Sequence, residues 1–280
     1  MRTHYYARTL VDSEINNNRI TTFEITFPRF IAEQLLTHRM HSRNAGSLRA
    51  VPTVKILTSA TVNPLQFAAN QPGMSSGAKL TGWRARVAQA GWELARGGCI
   101  MGAKLMHRAG VHKEICNRVL APFLWQTYII TSNEFGWNNF FLQRCSPHAQ
   151  PEIAKIANLI RECYTSSVPL PQLHHIPFDP VFESDFTDKN YAFCATHGLT
   201  ILEARKRISI ARIARVSYFN HGCDYVNYIN DLKLYDRLVT SGHYSPLDHV
   251  LTYNELFKNG IYPSWKSVRE ELFPQFIQER

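Results

Sequence analysis

Residues 37–50 read THRMHSRNAGSLRA and hold two histidines, three arginines, two serines and an asparagine. The stretch offers donors and positive charge but little that could fill a core. No Asp or Glu lies between Glu33 and Glu93, so its arginines have no local counter-charge. The negative partner must come from elsewhere in the fold, from solvent or from a ligand.

The flanking sequence sets the fold class. Upstream, ITTFEITF at 20–27 places Thr21, Phe23, Ile25 and Phe27 on one side at strand spacing. Pro28 stands where a helix can begin, and Phe30, Ile31, Gln34 and Leu35 follow at helical spacing. A strand therefore feeds a helix over 28–38, and the quoted stretch leaves its C-terminal end. Asn44, Gly46 and Pro52 mark a loop beyond it. Further on, 61–78 reads as a loop, 79–109 as a glycine-interrupted helix and 125–132 as a strand. Residues 134–144, 151–164, 199–218 and 228–241 read as helices, the proline-bearing 165–198 as an irregular connection, and 250–257 as a strand. Helices interleaved with a few strands predict an α/β (α+β) fold.

A hydrophobic content of 45% with 12% aromatics argues for a globular protein. The length of 280 residues allows one large domain or two small ones. The net charge of +9 suits small polyanions such as nucleotides or folate tails. Without a Lys/Arg block, nucleic acid is a poor partner. Cys99, Cys116, Cys145, Cys163, Cys194 and Cys223 lie at least 17 positions apart, which excludes C-x-x-C zinc and redox patterns. No run is apolar enough to span a membrane, and the first residues lack a signal-peptide core. A cytoplasmic protein with reduced thiols, no membrane partner and no bound metal is expected.

The 37–50 stretch resembles the signature of the flavin-dependent thymidylate synthases, the ThyX family. That motif runs R-H-R, two residues, S, one residue, N, two residues, S, one residue, R. Here it is Thr37, His38, Arg39, Ser42, Asn44, Ser47 and Arg49, with the first Arg replaced by Thr. NNFFLQRCSPHAQPE at 138–152 resembles the family's N-F-x-x-x-R-x3-H-A-Q-x-E stretch and supplies Asn139, Arg144, His148 and Gln150. Arg118, four residues before Pro122, matches a further nucleotide-binding arginine. RIARVSY at 212–218 and GHYSPLDH at 242–249 resemble a series that in the family precedes the R-H-R motif. Here that series follows it, so the resemblance implies a circularly permuted chain, similar to phage-encoded relatives. Residues 56–113 and 165–198 have no counterpart and stand as unassigned insertions.

The resemblance implies a ThyX-like fold with a central, mainly antiparallel sheet and flanking helices. It implies transfer of a one-carbon unit from methylenetetrahydrofolate to C5 of dUMP, with FAD as cofactor and NADPH as reductant. It also implies a single domain over 1–280 and a homotetramer with shared active sites. His38, Arg39, Met40, Ser42, Asn44, Asn139, His243, Ser245 and Asp248 would hold FAD. Gln34, Ser47, Leu48, Arg49, Arg118 and Arg144 would hold the nucleotide, with Arg144, Ser47 and His243 closest to the chemistry. Arg144 at the uracil edge suits the negative charge that makes C5 nucleophilic. No Pro-Cys-His occurs, which counts against the unrelated cysteine-dependent synthases.

Two departures open alternatives. Thr37 replaces a family arginine and Ala45 a family glutamate, which admits a variant making 5-hydroxymethyl-dUMP or a C5-modified dCMP. A non-catalytic nucleotide- or RNA-binding scaffold is a further reading.

Overall fold

The computed structural model describes residues 2–180, 188–218 and 227–277, so Cys223 lies outside the described residues. Strand β1 (Tyr6–Ile15) returns as β2 (Asn18–Pro28) through Asn16 and Asn17, at φ 49° and 58°. Two successive positive φ values give the tight turn that matches strand twist, and asparagine tolerates them better than most residues. Strands β3 (Ser42–Ala45) and β4 (Trp125–Asn133) complete a four-stranded antiparallel sheet of order β1-β2-β4-β3. Strands β5 (His174–His175), β6 (Leu251–Tyr253) and β7 (Trp265–Ser267) form a second antiparallel sheet in that order.

The helices are α1 (Ala32–Leu36), α2 (Thr53–Leu57), α3 (Gly82–Arg108), α4 (Lys113–Cys116) and α5 (Glu134–Arg144). They continue with α6 (Pro151–Ser166), α7 (Asp188–Thr196), α8 (Ile201–Ala214), α9 (Tyr228–Thr240) and α10 (Val268–Leu272). The expected α/β (α+β) class and mainly antiparallel sheet are present.

The alternation in β2 works as read. Phe23, Ile25 and Phe27 are fully buried against Trp137 and Phe140 of α5 and Ile153, Ile156 and Ile160 of α6. The other sheet face is buried as well. There Ile129 meets Ile210, Ile213, Leu247 and Val250 from the C-terminal third of the chain. A third apolar cluster joins Leu48 and Val51 to Ile56, Ala103, Leu120 and Phe123, so residues 56–113 pack directly on the loop after the motif.

Several elements differ from the sequence reading. The helix over 28–38 is a 3-10 turn, Arg29–Ile31, followed by the short α1. The glycines at 91, 97 and 98 do not break α3, which is continuous. The strand over 250–257 shrinks to three residues. Strands β1, β3, β5 and β7 have no counterpart in the sequence reading, and the connection over 165–198 contains β5 and the helix α7. In β1 the bulge between Thr9 and Val11 disturbs the period of two, and β3 holds only four mostly polar residues.

Between the sheet and the C-terminal third runs a buried polar chain. Gln172 Nε2 donates to Ser13 Oγ at 2.6 Å, and Ser13 Oγ meets His175 Nδ1 at 2.8 Å. His175 Nε2 meets Thr22 Oγ1 at 2.7 Å, Thr22 meets Thr131 at 2.6 Å, and Thr131 Oγ1 meets His249 Nδ1 at 2.7 Å. With Gln172 as the first donor, every proton can point one way, and His249 Nε2 ends the chain buried without a hydrogen-bond partner in the described residues.

Candidate active site

The motif stretch leaves α1, turns at His38–His41 and enters the edge strand β3. Of its three arginines, Arg43 is structural. Its Nη1 donates to the carbonyls of Leu35, Leu36 and His38 at 3.3, 3.0 and 3.2 Å, which caps the end of α1. Arg39 is exposed and makes no ion pair among the described residues. Arg49 turns toward Glu114.

Helix α5 comes close to this turn because Gly136 permits it. A Cβ there would lie 2.1 Å from Ser132 Oγ and 3.2 Å from Met40 Cβ. Ser132 Oγ donates to Met40 O, and buried His41 packs on Trp137 at 4.5 Å between ring centroids.

The last residue of α5, Arg144, reaches back to α1 and the turn. Its Nε donates to His38 Nε2 at 2.9 Å, and its Nη2 to Gln34 O at 3.1 Å and Thr37 Oγ1 at 3.0 Å. Its Nη1 is 3.5 Å from Gln34 Oε1. All these acceptors are neutral, and no carboxylate of the described residues pairs with Arg144. Gln34 is itself fixed by Gln150 at 2.6 Å. His38 approaches a ligand as a neutral imidazole. Burial, with Arg144 and Arg43 beside it, lowers its pKa to about 4. It is neutral, and because Nε2 accepts from Arg144 its proton rests on Nδ1. Burial likewise lowers His41 to about 3.

A second group joins the two ends of the chain. Asn44 Nδ2 donates to Ile213 O at 2.8 Å, and Ser245 Oγ to Asn44 Oδ1 at 3.1 Å. Ser47 N donates to Ser217 O at 3.1 Å. Tyr262 OH lies 2.9 Å from both Ser42 N and Ser42 Oγ and 2.6 Å from Thr131 O, pinning β3 to β4. Asp248 accepts from Arg269 at 3.1 Å. Residues of 212–218 and 242–249 therefore meet the motif stretch at Asn44 and Ser47. The side chains of Ser42 and Asn44 serve first to make that junction.

A third group gathers Ser47, Leu48, Arg49 and Arg118. Buried Asn117 donates to Leu48 O and Val51 O at 2.8 and 2.9 Å, and Lys113 Nζ to Ala50 O at 3.1 Å, tying α4 to the loop. Arg49 Nε and Arg118 Nη2 lie 3.4 and 3.7 Å from the same oxygen, Glu114 Oε1. Among the described residues, the side chains of Asn139 and His243 hydrogen-bond only locally, to Gln143 at 3.0 Å and Ser241 at 2.9 Å.

Sequence reasoning missed Arg43, Glu114, Asn117 and Tyr262. Glu114 lies four residues before Arg118, a helical spacing that could have paired them. Nothing local in the sequence marks Tyr262. Among the described residues no cluster of His, Cys, Asp and Glu could hold a metal ion, and no helix is long and apolar enough to cross a membrane.

Comparison with known proteins adds a family. Among solved structures, the UMP/dUMP methylase PolB from Streptomyces cacaoi, bound with 5-Br dUMP, is similar over 52% of this chain and 67% of its own. Its sequence identity is 20% and its TM-score 0.43. No curated protein matches. The model of the Thy1 family, described as thymidylate synthase complementing protein, matches residues 15–170, more than half of the chain. That span holds the motif turn, Arg118, Arg144 and all four strands of the larger sheet except most of β1, and it shows that the chain belongs to the Thy1 family of flavin-dependent thymidylate synthases.

Proposed function

We propose that this chain is a FAD-dependent enzyme transferring a one-carbon unit from methylenetetrahydrofolate to C5 of dUMP, with NADPH as reductant. The observation that carries the reading is Arg144: a half-buried guanidinium fixed by neutral acceptors, with no carboxylate partner among the described residues. Such a cation stabilises negative charge that builds on a bound ring without having to break an ion pair first. It does so best when it cannot move, and four contacts to Gln34, Thr37 and His38 hold it.

The residues of the motif turn fit a flavin dinucleotide. Exposed Arg39 supplies positive charge toward a pyrophosphate, and neutral His38 supplies a directed Nδ1–H. Flavin, when bound, supplies the hydride chemistry. The chain's part is to hold it with Arg39, His38, Met40, Asn139, His243, Ser245 and Asp248, while Ser42 and Asn44 keep that surface in register. Ser47, Leu48, Arg49 and Arg118 would bind the nucleotide phosphate end, with Gln34 and Arg144 at the base. The order of the C-terminal segments supports a circular permutation, and a homotetramer sharing active sites belongs to the same reading.

One observation favours a close variant. Thr37 accepts from Arg144, where a family arginine would repel it, so the ring-edge clamp differs. A modified product, 5-hydroxymethyl-dUMP, or dCMP as substrate would fit an altered clamp.

The test is a visible absorption spectrum of the purified protein, then product mass from dUMP and from dCMP with folate donor and NADPH. Flavin absorption and one added methyl on dUMP are expected. A colourless protein that takes up no FAD on titration overturns the proposal, and a hydroxymethyl mass or reaction on dCMP alone selects the variant.

A further inference from the structure

We infer that Glu114 is a resident anion in the phosphate subsite, an affinity-setting residue that a nucleotide phosphate must displace. The inference rests on the reading of Arg49 and Arg118 as phosphate ligands.

The geometry points there directly. Arg49 and Arg118 come from separate elements, the loop after β3 and the turn after α4. They meet at one carboxylate oxygen, at 3.4 and 3.7 Å. Both distances exceed those of a direct charge-assisted hydrogen bond, so Glu114 holds the two guanidinia loosely. The side chains of Arg49 and Arg118 are 70% and 62% exposed and that of Glu114 is 32% exposed, so a ligand can reach the spot. Ion pairs this exposed contribute little stability, and breaking them costs little.

The backbone beneath is firmly held. Asn117 and Lys113 bond three carbonyls of residues 48–51, and Leu48, Val51, Ile56 and Leu120 pack under them. The two arginines are thus presented side by side on a well-packed base, with the partly exposed Glu114 carboxylate between them. A phosphate oxygen placed where Glu114 Oε1 lies could take hydrogen bonds from both.

Two consequences follow. With ligand absent, Glu114 keeps two like charges from repelling each other. With ligand present, its charge either swings aside or opposes the phosphate, so it weakens every anion at this subsite. The cost of displacing it is common to every ligand and its direct repulsion grows with ligand charge, so the carboxylate weakens a dianionic phosphate at least as much as a weaker anion.

The test measures Kd for inorganic phosphate and for dUMP by calorimetry on the full chain and on Glu114→Gln. Removing the resident anion should tighten phosphate about 3- to 10-fold and dUMP in the same direction. Glu114→Asp, whose shorter stem withdraws the carboxylate, should fall between the two and decides the matter if the glutamine variant does not fold. Glu162→Gln, an exposed acid on α6, should leave both constants unchanged. Unchanged or weaker binding by both Glu114 variants overturns the inference, as does equal tightening by Glu162→Gln. If phosphate and dUMP bind neither the original chain nor any variant, the nucleotide reading of Arg49 and Arg118 fails, and the inference fails with it. That outcome is distinct from binding that ignores Glu114.

Discussion

Arg144 shows how much one residue type can decide. Lysine keeps the charge, but a single ammonium cannot reach His38, Gln34 and Thr37 together as the planar guanidinium does. Arg144→Lys should lower kcat about 100-fold or more, in the range seen when a fixed donor to a developing anion is removed, while flavin absorption stays unchanged. Steady-state turnover with a spectrum of the same sample checks this, and near-original turnover would remove Arg144 from the chemistry. The spacing of Arg144 from Asn139 and from His148 was visible in the sequence. Its immobilisation was not, because Gln34 and Thr37 lie more than a hundred positions away. The neutrality of His38 was hidden for the same reason: burial and the two neighbouring arginines are properties of the fold.

At the scale of elements, the closeness of α5 to the motif turn depends on the missing side chain at Gly136. Gly136→Ala would push a methyl into Ser132 Oγ and against Met40, which should lower stability by about 1–3 kcal/mol, the usual cost of overpacking. Urea unfolding measures it. Ser132→Ala in the same chain should recover part of the loss, because the nearest atom is gone. No recovery would mean that the backbone, not the hydroxyl, sets the approach. Strand β2 was legible because Phe23, Ile25 and Phe27 alternate against one apolar cluster. Strand β3 was not. Of its four residues, SRNA, Ser42 and Asn44 find their partners in Tyr262, Ile213 and Ser245, and composition alone read the stretch as loop. Helix α3 survived its glycines because helical geometry tolerates them individually, at about 1 kcal/mol each relative to alanine.

Across the whole molecule, burial keeps His41, His175 and His249 neutral, each with a pKa lowered to about 3. An unfolded histidine titrates near 6.5, so between these values the unfolded chain takes up protons that the folded chain excludes. Their contribution is therefore complete above about pH 6.5 and is lost as pH falls toward 3. Each can cost a little over 1 kcal/mol per pH unit, so unfolding free energy should drop by about 3 kcal/mol or more between pH 6.5 and 5. Denaturant titrations across that range test it, and His249→Asn should flatten the slope. A pH-independent stability would mean that the histidines titrate in the fold as they do in the unfolded chain. The chain of hydroxyls and imidazoles that joins Ser13 and Thr22 to His175 and His249 could not be read from sequence, since its members are scattered over most of the length.

The seam between the larger sheet and the C-terminal third has a genetic corollary. A premature stop codon shortly after residue 170 would leave intact everything the family model recognises. The shortened product would nonetheless turn Ile129, Thr22 and Thr131 toward water and deprive the Asn44 amide of its carbonyl. Such an allele would pass a motif search and still yield an insoluble polypeptide. Supplying the missing third from a second gene is then the natural rescue to attempt.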